Sequence, residues 1–183
     1  TLYSTEGSSL VIRAMLALLK AYAAECHRPA RILAARGAHR ALLYGAALVD
    51  LEIDWLEGEG GSELLSPCPG ADQIASTLDR AEEKPLALYL TAPDYLGNLP
   101  DLREIAALCH SRGVLLFVDN ARGAYLSFLS PSRHPLALGA DLCADSAHKT
   151  LPVLTGGAYL HISQKAPSFF AERAPEALSL FAS

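Results

Sequence analysis

Lys149 stands in the stretch CADSAHKTLPVLTGGAYLH, residues 143–161, as the one ammonium in a run of small and apolar side chains, directly after His148. A lysine drawn out of water in such a place becomes a nucleophile able to form a Schiff base with an aldehyde. The plainer account of a lysine after a strand is a solvated surface residue. Asp119 closes the run VLLFVD, residues 114–119. A carboxylate after five apolar residues should be desolvated, and it takes up a proton unless a cation or a strong donor holds it ionised. It could also be a buried residue that caps the NARGAY turn.

Two further segments carry polar groups suited to a ligand. STEGSS, residues 4–9, reads as a turn from strand to helix in which Gly7 lets the backbone come close and Ser8 and Ser9 add hydroxyl donors, an arrangement that suits a phosphate. Simple helix capping by serine explains the same residues. His39, in ARGAHRAL, offers a flat ring near a helix start, where it could equally be satisfied by its surroundings. Ser146, three residues before Lys149, adds another hydroxyl at a strand end. A phosphate cup, a carboxylate for a protonated ring nitrogen, an aromatic ring to stack and a lysine for an aldehyde together describe the needs of pyridoxal 5'-phosphate, PLP.

The elements that must position these residues are legible from patterning. Apolar runs rich in branched residues alternate with helical spacing, which writes a mostly parallel sheet wrapped by helices. About seven strands are expected, over residues 1–4, 31–35, 47–53, 86–91, 114–119, 142–146 and 157–162. Helical spacing covers residues 8–25, 38–48, 70–83 and 98–113, the last ending at Arg112 and Gly113. The expected fold is therefore α/β, a three-layer α/β/α sandwich in which ligands collect at the carboxyl ends of the strands. Residues 57–70 form the longest loop-like segment, while SAHKT is expected to run into a turn at Thr150 and Pro152.

With 183 residues, the chain fits one domain, and a formal charge of −5 without a basic cluster argues against nucleic acid as a partner. Cys26, Cys68, Cys109 and Cys143 lie far apart, without the close pairs of a structural zinc or redox motif, so they read as reduced thiols with no metal expected. Arg13, Lys20 and Glu25 interrupt the first apolar stretch, no other run is long enough for a bilayer, and nothing resembles a signal peptide. Neither membrane nor export is expected, and the cytoplasm is the default location. Both ends look cut: residue 1 begins inside an expected strand, and PSFFAERAPEALSLFAS starts a helix expected to lack a packing partner in this chain.

On SAHKTLPVLTGGAYLH, the most specific match, and on TEGSS, RGAHRALLYGA and TAPDYLGNLPDL before VDNARGAY, which occur in family order, the chain resembles the Orn/Lys/Arg decarboxylase family of PLP enzymes, which have the aspartate-aminotransferase-like fold. Residues 1–183 would then be a single PLP-binding large domain. The resemblance implies that Lys149 holds the cofactor as a Schiff base, Asp119 pairs with the pyridine nitrogen and His39 stacks on the ring. Gly7, Ser8, Ser9 and Ser146 would bind phosphate, with His148 beside the lysine. It implies decarboxylation of a basic amino acid (arginine, lysine or ornithine) and a homodimer or larger even oligomer. An aminotransferase or lyase on the same scaffold is the rival enzyme, and a cofactor-binding remnant without turnover is the other rival. Departures motivate the remnant: Asn120, Arg122 and Tyr125 replace the family's DEAHGAH pattern, and Arg122 would either favour the cofactor's phenolate oxygen or pull Asp119 into an ion pair. Asp94 departs too, as a contact for a basic substrate or, the favoured alternative, a turn residue.

Overall fold

The structure is a computed structural model that describes residues 1–56 and 69–183, so most of the loop-like segment 57–70 lies outside the described residues. Seven strands form one sheet: β1 (Leu2–Ser4), β2 (Arg31–Ala35), β3 (Glu52–Leu56), β4 (Ala87–Thr91), β5 (Leu115–Asp119), β6 (Leu142–Asp145) and β7 (Ala158–Ile162). Their order across the sheet is β1-β7-β6-β5-β4-β2-β3. β2 to β6 pair in parallel, whereas β7 is antiparallel to both β6 and β1. Six strands thus point one way, and their carboxyl ends share an edge with the start of β7.

The central strands alternate between two apolar layers because successive side chains point to opposite faces. Ala87, Tyr89, Phe117, Leu142 and Ala144 face the layer built on α1 (Gly7–Glu25), α2 (Arg40–Val49) and α7 (Ser168–Ser179). Leu88, Leu90, Leu116, Val118 and Cys143 face the layer built on α3 (Ala71–Arg80), α4 (Leu102–Ser111) and α5 (Pro135–Leu138). Burial on both faces explains why β4 and β5 read as continuous apolar runs.

Four expectations change. The third strand is not 47–53: α2 continues to Val49, Asp50 caps it in the left-handed conformation, and Glu52 then enters the ladder opposite Arg31. Ala47, Leu48 and Val49 prolong the helical pattern, so an apolar run that looks like a strand start is a helix end. SAHKT is not a plain turn but one helical turn, α6 (Ala147–Thr150). The helix at 168–179 does have a partner, since Phe170 is fully buried, with its ring 4.9 Å from Tyr22 on α1 and 5.9 Å from Phe117 on β5. Finally, α1 is by length and composition long and apolar enough to cross a membrane, despite its charges. Here it is the core helix of its layer, with Val11, Ile12, Met15, Leu16, Leu18 and Leu19 buried.

Candidate cofactor site

β5 and β6 are neighbours, with Asp119 in register with Ala144, so the residues after each strand emerge side by side. Asp119 is buried as expected, and Ala121 N–H donates to its Oδ1 at 3.1 Å. Burial pushes the carboxyl up to about 6, although the Ala121 N–H, the charges of Lys149 and Arg122 and the nearby Tyr89 hydroxyl pull the other way. Tyr89 itself is driven well above its ordinary value by burial and by Asp119, and its hydroxyl faces the carboxyl without a hydrogen bond of good geometry. Among the described residues, no lysine, arginine or histidine forms an ion pair with Asp119. A buried carboxylate in this condition has room for a cationic donor such as a protonated ring nitrogen.

Lys149 sits on α6, just beyond the end of β6. Of its two accounts the solvated one describes this structure: the side chain is exposed, because a single helical turn on the sheet edge leaves it uncovered by the described residues. Its charge nevertheless reaches both Asp119 and His39. His148, half-buried, donates Nδ1–H to the Gly157 carbonyl at 3.1 Å, which leaves Nε2 as the ring's free acceptor.

Serine does not cap α1: Glu6 stands at the N-cap position, and no side chain caps the helix there. Gly7 has a φ of +80°, open space where a Cβ would stand, and an N–H that donates to the Gly156 carbonyl at 2.7 Å. Gly7 therefore contributes shape rather than its own N–H, and the next amides of α1's first turn, at Ser8 and Ser9, remain to face an anion. Ser146 Oγ donates to Ser8 Oγ, joining that first turn to the end of β6. Both hydroxyls are buried, and Ser9 is half-buried beside them. His39 caps α2: its Nδ1 accepts from Ala41 N–H at 3.2 Å, so the ring is satisfied at a helix start. The cap fixes the ring and places its proton on Nε2. Burial lowers the His39 pKa, and the charges of Lys149, Arg40 and Arg122 lower it further, so the ring is a neutral plane.

The two departures from the family pattern resolve differently. Arg122 does not pull Asp119 into an ion pair; its guanidinium lies over the Tyr95 ring, 4.5 Å from the centroid. Asp94 is a turn residue, accepting from the N–H groups of Leu96 and Asn98 and from the Asn98 side-chain amide, all at 2.8 Å. Clefts beside α3, lined by Arg31, Asp54 and Arg80, and between α1 and α7, lined by Leu18, Phe169 and Leu180, do not border Lys149 or Asp119. The residues expected to hold the cofactor instead stand at the open edge of the sheet.

The sequence reading passed over a second polar cluster. Asp145, His134, Cys143 and His161 meet behind the sheet edge, on the face opposite Ser146. The ligand atoms of His134, Cys143 and Asp145 lie within 4.8 Å of one another, close enough for a metal ion. Their hydrogen bonds argue otherwise. His134 Nδ1 accepts from Leu136 N–H at 3.2 Å, so its proton is on Nε2, which points at Asp145 and has no lone pair for a metal.

The Orn/Lys/Arg decarboxylase major domain matches residues 16–183. The chain belongs to the Orn/Lys/Arg decarboxylase family. It therefore carries the large domain of a fold-type-I PLP enzyme, and PLP is the cofactor its site is built for. It is similar to YaaO of Bacillus subtilis (strain 168), 33% identical over 141 residues, which cover 75% of this chain and 29% of that protein. An arginine decarboxylase of Halalkalibacterium halodurans is 35% identical over 78 residues, 42% of this chain and 16% of that one. Among solved structures, Oryza sativa TDC with PLP superposes with a TM-score of 0.69 at 13% identity, covering 87% of this chain and 37% of its own. The chain thus spans less than a third of the length of these curated relatives.

Proposed function

We propose that this family member removes the α-carboxylate of a basic amino acid (arginine, lysine or ornithine) with PLP, in the cytoplasm and as a homodimer or larger even oligomer. The observation that carries the proposal is the buried Asp119 carboxyl, without a cationic partner among the described residues, at the same edge as Lys149 and the Ser8–Ser146 cup. Lys149 would hold the cofactor's aldehyde carbon through its amine. Asp119 would keep a proton on the pyridine nitrogen, while Gly7, Ser8, Ser9 and Ser146 take the phosphate and His39 stacks on the ring. Bound PLP supplies an electron sink for the pair left when CO₂ departs. The Lys149 amine would return a proton to Cα, as would His148 once its Nε2 has taken up a proton.

Another PLP reaction, by an aminotransferase or lyase, is the second reading, and two observations favour it. Asp94 spends three hydrogen bonds on its own turn, which disfavours it as the contact for a distal ammonium or guanidinium, and Arg122 adds a cation near His39 and Asp119. The full-length enzyme with PLP and each of arginine, lysine and ornithine should release CO₂ from one of them and leave the cofactor unaltered. Accumulation of pyridoxamine phosphate without CO₂ would replace the decarboxylase with a transaminase, and bound PLP with neither product from any of the three would favour the remnant.

A further inference from the structure

The Asp145 carboxylate is buried and accepts from four donors on four segments. Asn120 Nδ2 reaches Oδ1 at 2.7 Å and Cys143 Sγ reaches Oδ1 at 3.4 Å; His134 Nε2 lies 3.1 Å and His161 Nε2 3.3 Å from Oδ2. Burial would raise such a carboxyl, but the hydrogen bonds from the two histidines win and hold it well below the usual range. An ionised carboxylate only accepts, so the fully buried Asn120 must present its Nδ2 side, and its amide orientation is fixed.

This one contact joins both halves of the cofactor site. Asn120 directly follows Asp119, and its own N–H donates to the Ala144 carbonyl at 2.9 Å. Asp145 directly precedes Ser146, and Lys149 stands on the helical turn that follows. Alternation along β6 places Ser146 on the α1 face and Asp145 on the other, so the pin holds the edge from behind without touching a ligand.

We propose that Asp145 is a positioning residue for the cofactor: through Asn120 it fixes the direction of the Asp119 carboxylate relative to Ser146 and Lys149. The inference rests on the reading that Asp119 meets the ring nitrogen. It also gives Asn120 a purpose, since an acidic side chain at that position would set two carboxylates against each other at hydrogen-bond distance.

The test uses PLP titrations of the full-length chain, followed by visible absorbance, with borohydride reduction and mass analysis to detect cofactor fixed on Lys149. Asn120→Asp and Asp145→Ala should each lower PLP affinity about tenfold or more, the scale of one lost charge-assisted hydrogen bond, and move the visible band of the saturated protein. The band is read on bound protein alone, so a merely looser fold does not shift it. The exchanged pair, Asn120→Asp with Asp145→Asn, restores one carboxylate facing one amide and leaves an acceptor for His134. It should recover both affinity and band. Wild-type affinity and band in Asn120→Asp, or an exchanged pair that melts like wild type yet keeps the Asn120→Asp defect, would overturn the positioning role. A wild-type chain that takes up no PLP would overturn the cofactor reading, and the role with it.

Discussion

The N–H of Gly7 and the carbonyl of Gly156 meet at 2.7 Å and tie the first turn of the fold to the loop between Lys149 and β7. Gly156 can be only glycine there: its φ is +95°, and a Cβ would stand 2.1 Å from the Thr5 carbonyl oxygen. Gly156→Ala should therefore cost on the order of 3 kcal/mol or more, from a backbone clash added to left-handed strain. The same change should weaken PLP binding, because the cup loses its anchor. Denaturant unfolding and a PLP titration measure the two effects separately.

Asp119→Asn should stabilise the cofactor-free protein at neutral pH. With the folded carboxyl near 6 and its ordinary value at 3.8, the folded state binds the proton more tightly than the unfolded state. Stability contributed by this group is full below about 4, falls as pH rises to about 6 and is flat above. At pH 7 the amide should be favoured by up to ~3 kcal/mol, and the advantage should vanish at pH 4. Melting curves of both proteins across that range decide it, and the same variant should bind PLP poorly because the ring nitrogen loses its partner.

Lys149→Ala should leave the fold intact, within about 0.5 kcal/mol, because the side chain is exposed and packs against nothing that would collapse. Borohydride should then fix no PLP to the polypeptide, whereas the wild type gains one covalent adduct by mass. An adduct of equal yield in the variant would move the nucleophile to another lysine.

Phe170→Ala should destabilise the domain by about 3–5 kcal/mol, the range for a fully buried aromatic that leaves a cavity. The ring closes the contact between α7, Tyr22 and Phe117, and Phe117 lies two residues before Asp119 on β5. The denaturation midpoint should drop with the slope unchanged.

The sequence made the frame readable wherever local pattern and burial agree. β4 and β5 are apolar on both faces and announce themselves, and the chemistry at their ends follows from alternation and from the strand-to-helix turns. It failed where an outcome depends on tertiary partners. Val49 belongs to a helix because Asp50 takes a left-handed cap, a choice that an apolar run does not reveal. The exposure of Lys149 depends on which described side chains the fold brings to the sheet edge, and a motif does not reveal them. Asp145 went unnoticed because its partners come from distant segments: His161 arrives by the antiparallel register of β7 on Cys143, and His134 by capping α5. A buried acid at a strand end, next to residues already selected, was the available clue.

The pairing of β1 with β7, Leu2 against Leu160, has a consequence for how the protein is made. Ser8 leaves the ribosome 138 residues ahead of its partner Ser146. Nascent β1 must wait for β7, and the part of α1 that packs on β6, β7 and α7 stays uncovered over the same interval, in which contacts distant in sequence invite aggregation. Chaperone demand during translation should therefore track the timing of the last two strands rather than the length of the polypeptide.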